Sequence, residues 1–123
     1  MSDPLLARAL RDAIGKHGAW KLKLKTSVTL GKAIIPAAEA MRDDCCDFGR
    51  WLHAPEQKAN YGQTVQYRVI TRLHREFHQC AGSIMQQVEG GNVAKAAQLI
   101  DAEFTPQSEH LVRGLNKWVS EAA

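Results

Sequence analysis

The sequence predicts an all-α fold, a four-helix bundle with an additional short helix that carries Cys46. Three observations predict it. Apolar residues recur at helical spacing over three long stretches, the breaks between them fall at glycines and prolines, and no convincing pair of strands appears. Three long helices plus a short one can bury their apolar stripes only against each other, which makes a bundle.

The first helix is expected from about Pro4 to Gly31. Asp3 then Pro4 reads as a cap followed by a first helical turn. Leu6, Leu10, Ile14, His17, Leu24 and Val28 follow at helical spacing, with Lys21 interrupting the stripe. The alternation Lys21-Leu22-Lys23-Leu24-Lys25 fits a strand template too, but the length and the upstream pattern favour helix. Pro36 marks a turn or linker between Gly31 and Arg42. Asp44 precedes the short helix with Cys46, Phe48, Trp51 and Leu52, which Pro55 ends. A third helix is expected from about Tyr61 to Val88, its inner face formed by Tyr67, Ile70, His74, Phe77, Ala81, Ile84 and Val88. Gly90-Gly91 stops it in a left-handed cap. Asn92 caps the last segment, with an inner stripe of Val93, Ala97, Ile100, Phe104, Leu111, Leu115 and Trp118. Thr105-Pro106 inside that segment either caps a new helix or kinks a continuous one.

Composition narrows the function classes. At 123 residues and 45% hydrophobic, the chain suits one domain, residues 1–123, with a modest core. A charged fraction of 24% argues against disorder, and a net charge of +3 falls well short of a nucleic-acid footprint. No apolar run approaches the roughly 20 residues of a membrane span, so no membrane partner is expected. Met1 to Leu6 lacks the features of a secretory signal. Three cysteines, an odd number, make no disulfide framework. The expectation is a cytoplasmic, reducing location that keeps thiols available as ligands.

The distinctive local words are His17-Gly18-Ala19-Trp20, Cys46-Asp47-Phe48-Gly49-Arg50-Trp51 and Leu73-His74-Arg75-Glu76-Phe77-His78. Together they supply three imidazoles and one thiol, the number of donors that a closed tetrahedral zinc site needs. His74 and His78 are four residues apart, so both project from one helix face and can reach one metal. His17 lies on a core-facing stripe, where an unpaired imidazole is costly. Phe48 and Trp51 would seat the cysteine-bearing segment against the bundle. Nitrogen and thiolate donors favour zinc over magnesium or calcium, with copper(I) a chemical alternative. The residues alone leave a second reading open: core histidines held by hydrogen bonds and a buried cysteine acting as a small hydrophobe.

These words resemble the three signature motifs of the chemoreceptor zinc-binding domain family of bacteria, in the same order and with similar separations. The resemblance extends over roughly residues 10–118, and the Cys-x-Phe-Gly-Arg-Trp word is its most specific part. It implies zinc as the cofactor, His17, Cys46, His74 and His78 as its ligands, a four-helix bundle, a cytoplasmic sensory role and a homodimer. Relatives attach such a domain to chemoreceptors or diguanylate cyclases, so chemotaxis or cyclic-di-GMP signalling is the implied context. No output domain fits into 123 residues, which implies a signalling protein partner or an output domain fused elsewhere. Cys45, beside the implied ligand, departs from the pattern and reads as a neighbour, since adjacent side chains diverge.

The reading is therefore a regulatory module and not an enzyme: four protein ligands leave no open coordination position, and no Ser-His-Asp or phosphate-binding motif is present. Oxidation of Cys46 would remove a strong donor and weaken zinc binding. Two alternatives remain. A hemerythrin-like di-iron bundle needs repeated Glu-x-x-His spacing, which Glu39, Glu76, Glu103 and Glu109 do not provide. A structural interaction module without metal would keep the histidines as core residues. His53 and His110 are expected at the surface, Cys80 in the core or an interface, and Lys16, Lys21, Lys23, Lys25 and Lys32 on a solvated face.

Overall fold

The computed structural model describes residues 2–122, all-helical and without strands among them. The helices are α1 (Pro4–Gly18), α2 (Trp20–Leu30), α3 (Ala37–Ala40), α4 (Asp47–His53), α5 (Pro55–Tyr61), α6 (Val65–Glu89), α7 (Val93–Leu99) and α8 (Thr105–Ala122). A π-helical turn, Ile100–Phe104, joins the last two. Among the described residues no helix is long and apolar enough to cross a membrane.

The expected first helix is present but broken. Asp3 Oδ1 accepts from the Leu6 N–H at 3.1 Å, with Pro4 opening α1. α1 ends at Gly18 and α2 starts at Trp20, with Ala19 between them still in the right-handed helical region at φ −78°, ψ −12°. The stripe nevertheless runs on at helical spacing from His17 through Trp20, Leu24 and Ser27, so Trp20 faces inward in place of Lys21. Leu22 is 70% exposed, so the lysine–leucine alternation belongs to a helix. Gly31, at φ 66°, closes α2 in a Schellman turn, with Lys32 N–H donating to Ser27 O at 3.1 Å.

Between Pro36 and Thr64 the chain holds more helix than expected. Ala37–Ala40 forms one turn capped by Glu89, whose carboxylate accepts from the Ala37 N–H at 3.0 Å. Cys46 is not inside the short helix but is its N-cap, and Asp44 lies in the loop before it. Pro55 does end α4, and it also opens α5 at the first helical position, where its missing N–H costs nothing. Tyr61 closes α5, and the third long helix starts at Val65 under a Thr64 cap. The Gly90–Gly91 stop is as expected: Gly91 has φ 82°, and the Asn92 N–H donates to Gln87 O at 2.7 Å. Asn92 takes the N-cap position without a side-chain bond.

Thr105 does not cap a fresh helix, since its hydroxyl donates backwards, and Pro106 lies in the first turn of α8. A widened turn precedes it, in which the Thr105 N–H and hydroxyl both donate to Ile100 O. The extra residue in that turn shifts the inner face. Ala96, not the expected Ala97, is buried, while Ile100, Phe104, Leu111, Leu115 and Trp118 stay inside.

Three long rods therefore pack together: α1–α2, α6, and α7 through α8. The Gly90–Gly91 turn folds the third rod back along α6. The first lies along α8, their ends stitched where the Asp3 N–H donates to Ala122 O at 2.7 Å. The fourth side of the bundle is assembled from α3, α4 and α5. Leu10, Leu24, Phe77, Ile84, Phe104 and Leu115 fill the centre, each fully buried. Gly82 lets α3 approach α6, since a Cβ there would lie 2.6 Å from Met41 Cβ.

Candidate metal centre

Each of the four sequence-identified donors sits on an element with a local reason to hold it. His17 occupies the last turn of α1, where its Nδ1–H donates to Ala13 O, four residues back, at 2.8 Å. His74 and His78 lie one turn apart on the buried face of α6. The His78 Nδ1–H donates to Ala40 O at 3.0 Å, so the short helix α3 serves to aim this ring. Cys46 Sγ accepts from the Gly49 N–H at 3.2 Å at the N-cap of α4. Gly49 is required there: a Cβ would lie 1.9 Å from Asp43 O. The glycine in the Cys-x-Phe-Gly-Arg-Trp word thus allows the loop before Cys46 to close over the helix that follows it.

These donors converge. His74 Nε2 lies 3.1 Å from His17 Nε2 and 3.1 Å from His78 Nε2. Cys46 Sγ lies 3.4 Å from His74 Nε2, 3.7 Å from His78 Nε2 and 3.9 Å from His17 Nε2. All four ligand atoms fall within 4.8 Å of one another. Tetrahedral zinc, with nitrogen at about 2.0 Å and sulfur at about 2.3 Å, requires N–N edges of about 3.3 Å and N–S edges of about 3.6 Å. The two His74 N–N edges fall slightly short of that value, and the N–S edges span theirs.

Hydrogen bonding alone does not satisfy this arrangement. A carbonyl only accepts, so His17 and His78 must carry their protons on Nδ1 and present bare lone pairs at Nε2. One proton on His74 Nε2 serves only one of its two imidazole neighbours and leaves the other to the weak Cys46 S–H donor, whereas without that proton both contacts set lone pair against lone pair. His74 Nδ1 is itself buried with no partner. A cation at the common point would take the lone pairs of all three Nε2 atoms and the sulfur at once, with only the His74 Nδ1–H left unpartnered, and the residues present fit zinc.

The surroundings are dry and aromatic. Phe48 meets the His74 ring edge-on at 5.2 Å and stacks on Trp51 at 5.6 Å. Phe77 packs edge-on against His17 at 5.1 Å, and Trp20 against His78 at 5.6 Å. Burial pushes the His17 pKa down to about 4, against a partial lift from the Ala13 carbonyl. His74 falls to about 2, through burial first and then the neighbouring imidazoles. His78 is lowered by burial, with Ala40 O opposing. All three are therefore neutral at pH 7, the state a metal requires. Burial raises the Cys46 thiol, against the backbone N–H groups of Gly49, Phe48 and Cys46.

The residues set aside fall as follows. His110 is exposed, as expected, and Cys80 is buried in the core. His53 is a correction: it is only partly exposed and pairs with Asp43, Nε2 to Oδ2 at 3.3 Å, because the loop before Cys46 folds across it. Cys45 stays outside the cluster, its Sγ 3.7 Å from Asp44 Oδ1. Lys16 and Arg50 both engage Asp47, and Arg50 also donates to Cys45 O. The residues that the sequence did not expose are Ala13 and Ala40, because they act through backbone carbonyls that no side-chain pattern reports. No carboxylate joins the cluster among the described residues, which leaves a di-iron carboxylate site without its ligands.

The family model of the chemoreceptor zinc-binding domain matches residues 17–85, a span that contains all four donors. No curated protein and no solved structure matches the chain.

Proposed function

The chain belongs to the chemoreceptor zinc-binding domain family, and from that premise we propose that His17, Cys46, His74 and His78 hold one zinc ion in a regulatory module that is not an enzyme. One observation carries the assignment. His74 Nε2 stands 3.1 Å from two other imidazole nitrogens, only one of which a single proton could serve, and 3.4 Å from a sulfur. When bound, zinc supplies the positive charge that these donors share and keeps the Cys46 sulfur deprotonated.

The chain's own residues do the rest. Ala13 and Ala40 carbonyls hold protons on the Nδ1 atoms of His17 and His78, fixing which nitrogen faces the metal. The Gly49 N–H supports the sulfur, and Phe48, Phe77 and Trp20 keep water from the imidazoles. Four protein donors leave no position for a substrate or an activated water, which supports the non-enzymatic reading.

The donors come from α1, the cap of α4, and α6, so occupancy couples three elements that otherwise meet through side-chain packing and the exposed Lys16–Asp47 ion pair. Loss of metal loosens that junction, and a partner reads the change. This reading covers the whole chain as one zinc-binding domain, acting as a homodimer in the cytoplasm within chemotaxis or cyclic-di-GMP signalling. Cys46 is the least buried of the four donors and the one open to oxidation, so an oxidant such as hypochlorous acid acts as a second input by removing the thiolate.

Elemental analysis tests the assignment. The purified chain should hold one zinc per molecule, and Cys46→Ala and His74→Ala should hold much less after dialysis. Equal zinc in all three would sink the ligand set. For the redox input, hypochlorous acid should release zinc in step with Cys46 oxidation seen by mass spectrometry. Zinc retained on oxidised Cys46 would end that part of the reading.

A further inference from the structure

The four donors differ in accessibility. His17, His74 and His78 are at most 2% exposed, whereas Cys46 is only partly buried. Any molecule that reaches the centre must therefore arrive past the sulfur. A cleft of about 410 Å³ opens there, with Cys46 and His17 in its wall. Its charged lining is Lys16, Lys23 and Arg50 against one carboxylate, Asp47. A smaller cleft of about 180 Å³ touches Cys46 and His78 from the other side, where Glu39 and Arg42 line the wall and Arg42 is already paired with Asp44.

The cations of the larger cleft are held in place. Lys16 and Arg50 share Asp47, and Arg50 is also tied to Cys45 O. Lys23 Nζ lies 4.9 Å from the centroid of the Trp20 ring. One carboxylate divided between two cations leaves the rim positive, with Lys23 unmatched by any ion pair in the described residues. A zinc centre with one thiolate and three neutral imidazoles adds a further net positive charge beneath it. Free aqueous zinc is repelled by such a rim, while a polyanion is drawn in.

We propose that this cleft docks small polycarboxylate zinc chelators beside Cys46, and that this docking governs how fast metal is gained and lost. The inference rests on the zinc reading above and adds the class of molecule that delivers and removes the ion. Lys23, Lys16 and Arg50 bind the carboxylates, and the aromatic walls limit the cleft to compact ligands. Lys23 is the clearest probe, because its recorded contact is the Trp20 face, outside the ligand set.

The test compares zinc removal from the zinc-loaded full chain by two chelators in stopped flow. One is EDTA, a polycarboxylate; the other is TPEN, a neutral pyridine chelator. Removal by EDTA should slow as sodium chloride rises, and should slow roughly tenfold in Lys23→Glu at low salt. Removal by TPEN should change less than twofold under either perturbation. Lys23→Gln, which removes one charge instead of reversing it, should fall between the wild type and Lys23→Glu for EDTA. Equal slowing of both chelators, or no slowing of either, overturns the proposal. Zinc content measured before mixing separates the two readings: a chain without zinc refutes the centre, whereas a loaded chain that does not distinguish the chelators refutes only the cleft.

Discussion

Replacing Gly49 with alanine probes how the fold delivers a sulfur to the centre without touching any donor. The new Cβ would lie 1.9 Å from Asp43 O and 3.1 Å from Asp44 Cα, where ordinary contact begins at 3.4 Å. Both obstacles are backbone, so the 43–46 loop and α4 must separate by about 1.5 Å. The Gly49 N–H that donates to Cys46 Sγ moves with the helix. Metal–ligand distances tolerate only about 0.2 Å, and lost supporting contacts typically cost 10–100-fold in metal affinity. Gly49→Ala is therefore expected to weaken zinc binding by at least tenfold, together with about 1–3 kcal/mol of overpacking strain in the zinc-free protein. A competition titration against a chromophoric chelator reads the first quantity, and urea unfolding monitored by circular dichroism reads the second. Gly15, by contrast, lies inside α1 with nothing within 4 Å of its Cβ position. Gly15→Ala should stabilise the fold by roughly 0.5–1 kcal/mol and leave zinc affinity unchanged. Wild-type zinc affinity in Gly49→Ala would refute the claim that loop closure positions the sulfur.

Other outcomes follow from the same structure. The zinc-free protein should lose stability as pH falls from 6.5 towards 4. His17 and His74 ionise near 4 and 2 in the fold but near 6.5 when unfolded, so the unfolded chain binds more protons across that window. Urea midpoints at pH 7.5, 6 and 5 measure this, and a constant midpoint would contradict it. Tyr61→Phe removes the hydroxyl that donates to Asp3 Oδ2 at 2.7 Å and should cost about 1–2 kcal/mol of unfolding free energy, with zinc content unaffected. Gly82→Ala should push α3 away from α6 and, through Ala40, release the His78 ring, weakening zinc binding more than it lowers stability. Titration of zinc and the urea midpoint, measured side by side, would show whether that ordering holds.

The sequence by itself determined the long helices, because Leu6, Leu10, Ile70, Phe77 and Leu115 repeat at the helical period and glycines mark the stops. It also put His74 and His78 on one face, since a His-x-x-x-His pair needs only helix geometry, and the resemblance of the three local words added His17 and Cys46. What it could not supply was everything that depends on one backbone meeting another. The single turn α3 has no period to detect, yet its Ala40 carbonyl aims His78. Cys46 looked like a helical residue, and only the close approach of Asp43 O over Gly49 shows why it is a cap. The widened turn before Pro106 has no signature in the sequence, and it sits where Ile100 and Phe104 are buried against distant elements. Side-chain periodicity is a local property and survives in the sequence. The direction in which a carbonyl, an N–H or a cleft points is set by elements far apart along the chain, and only tertiary packing decides it.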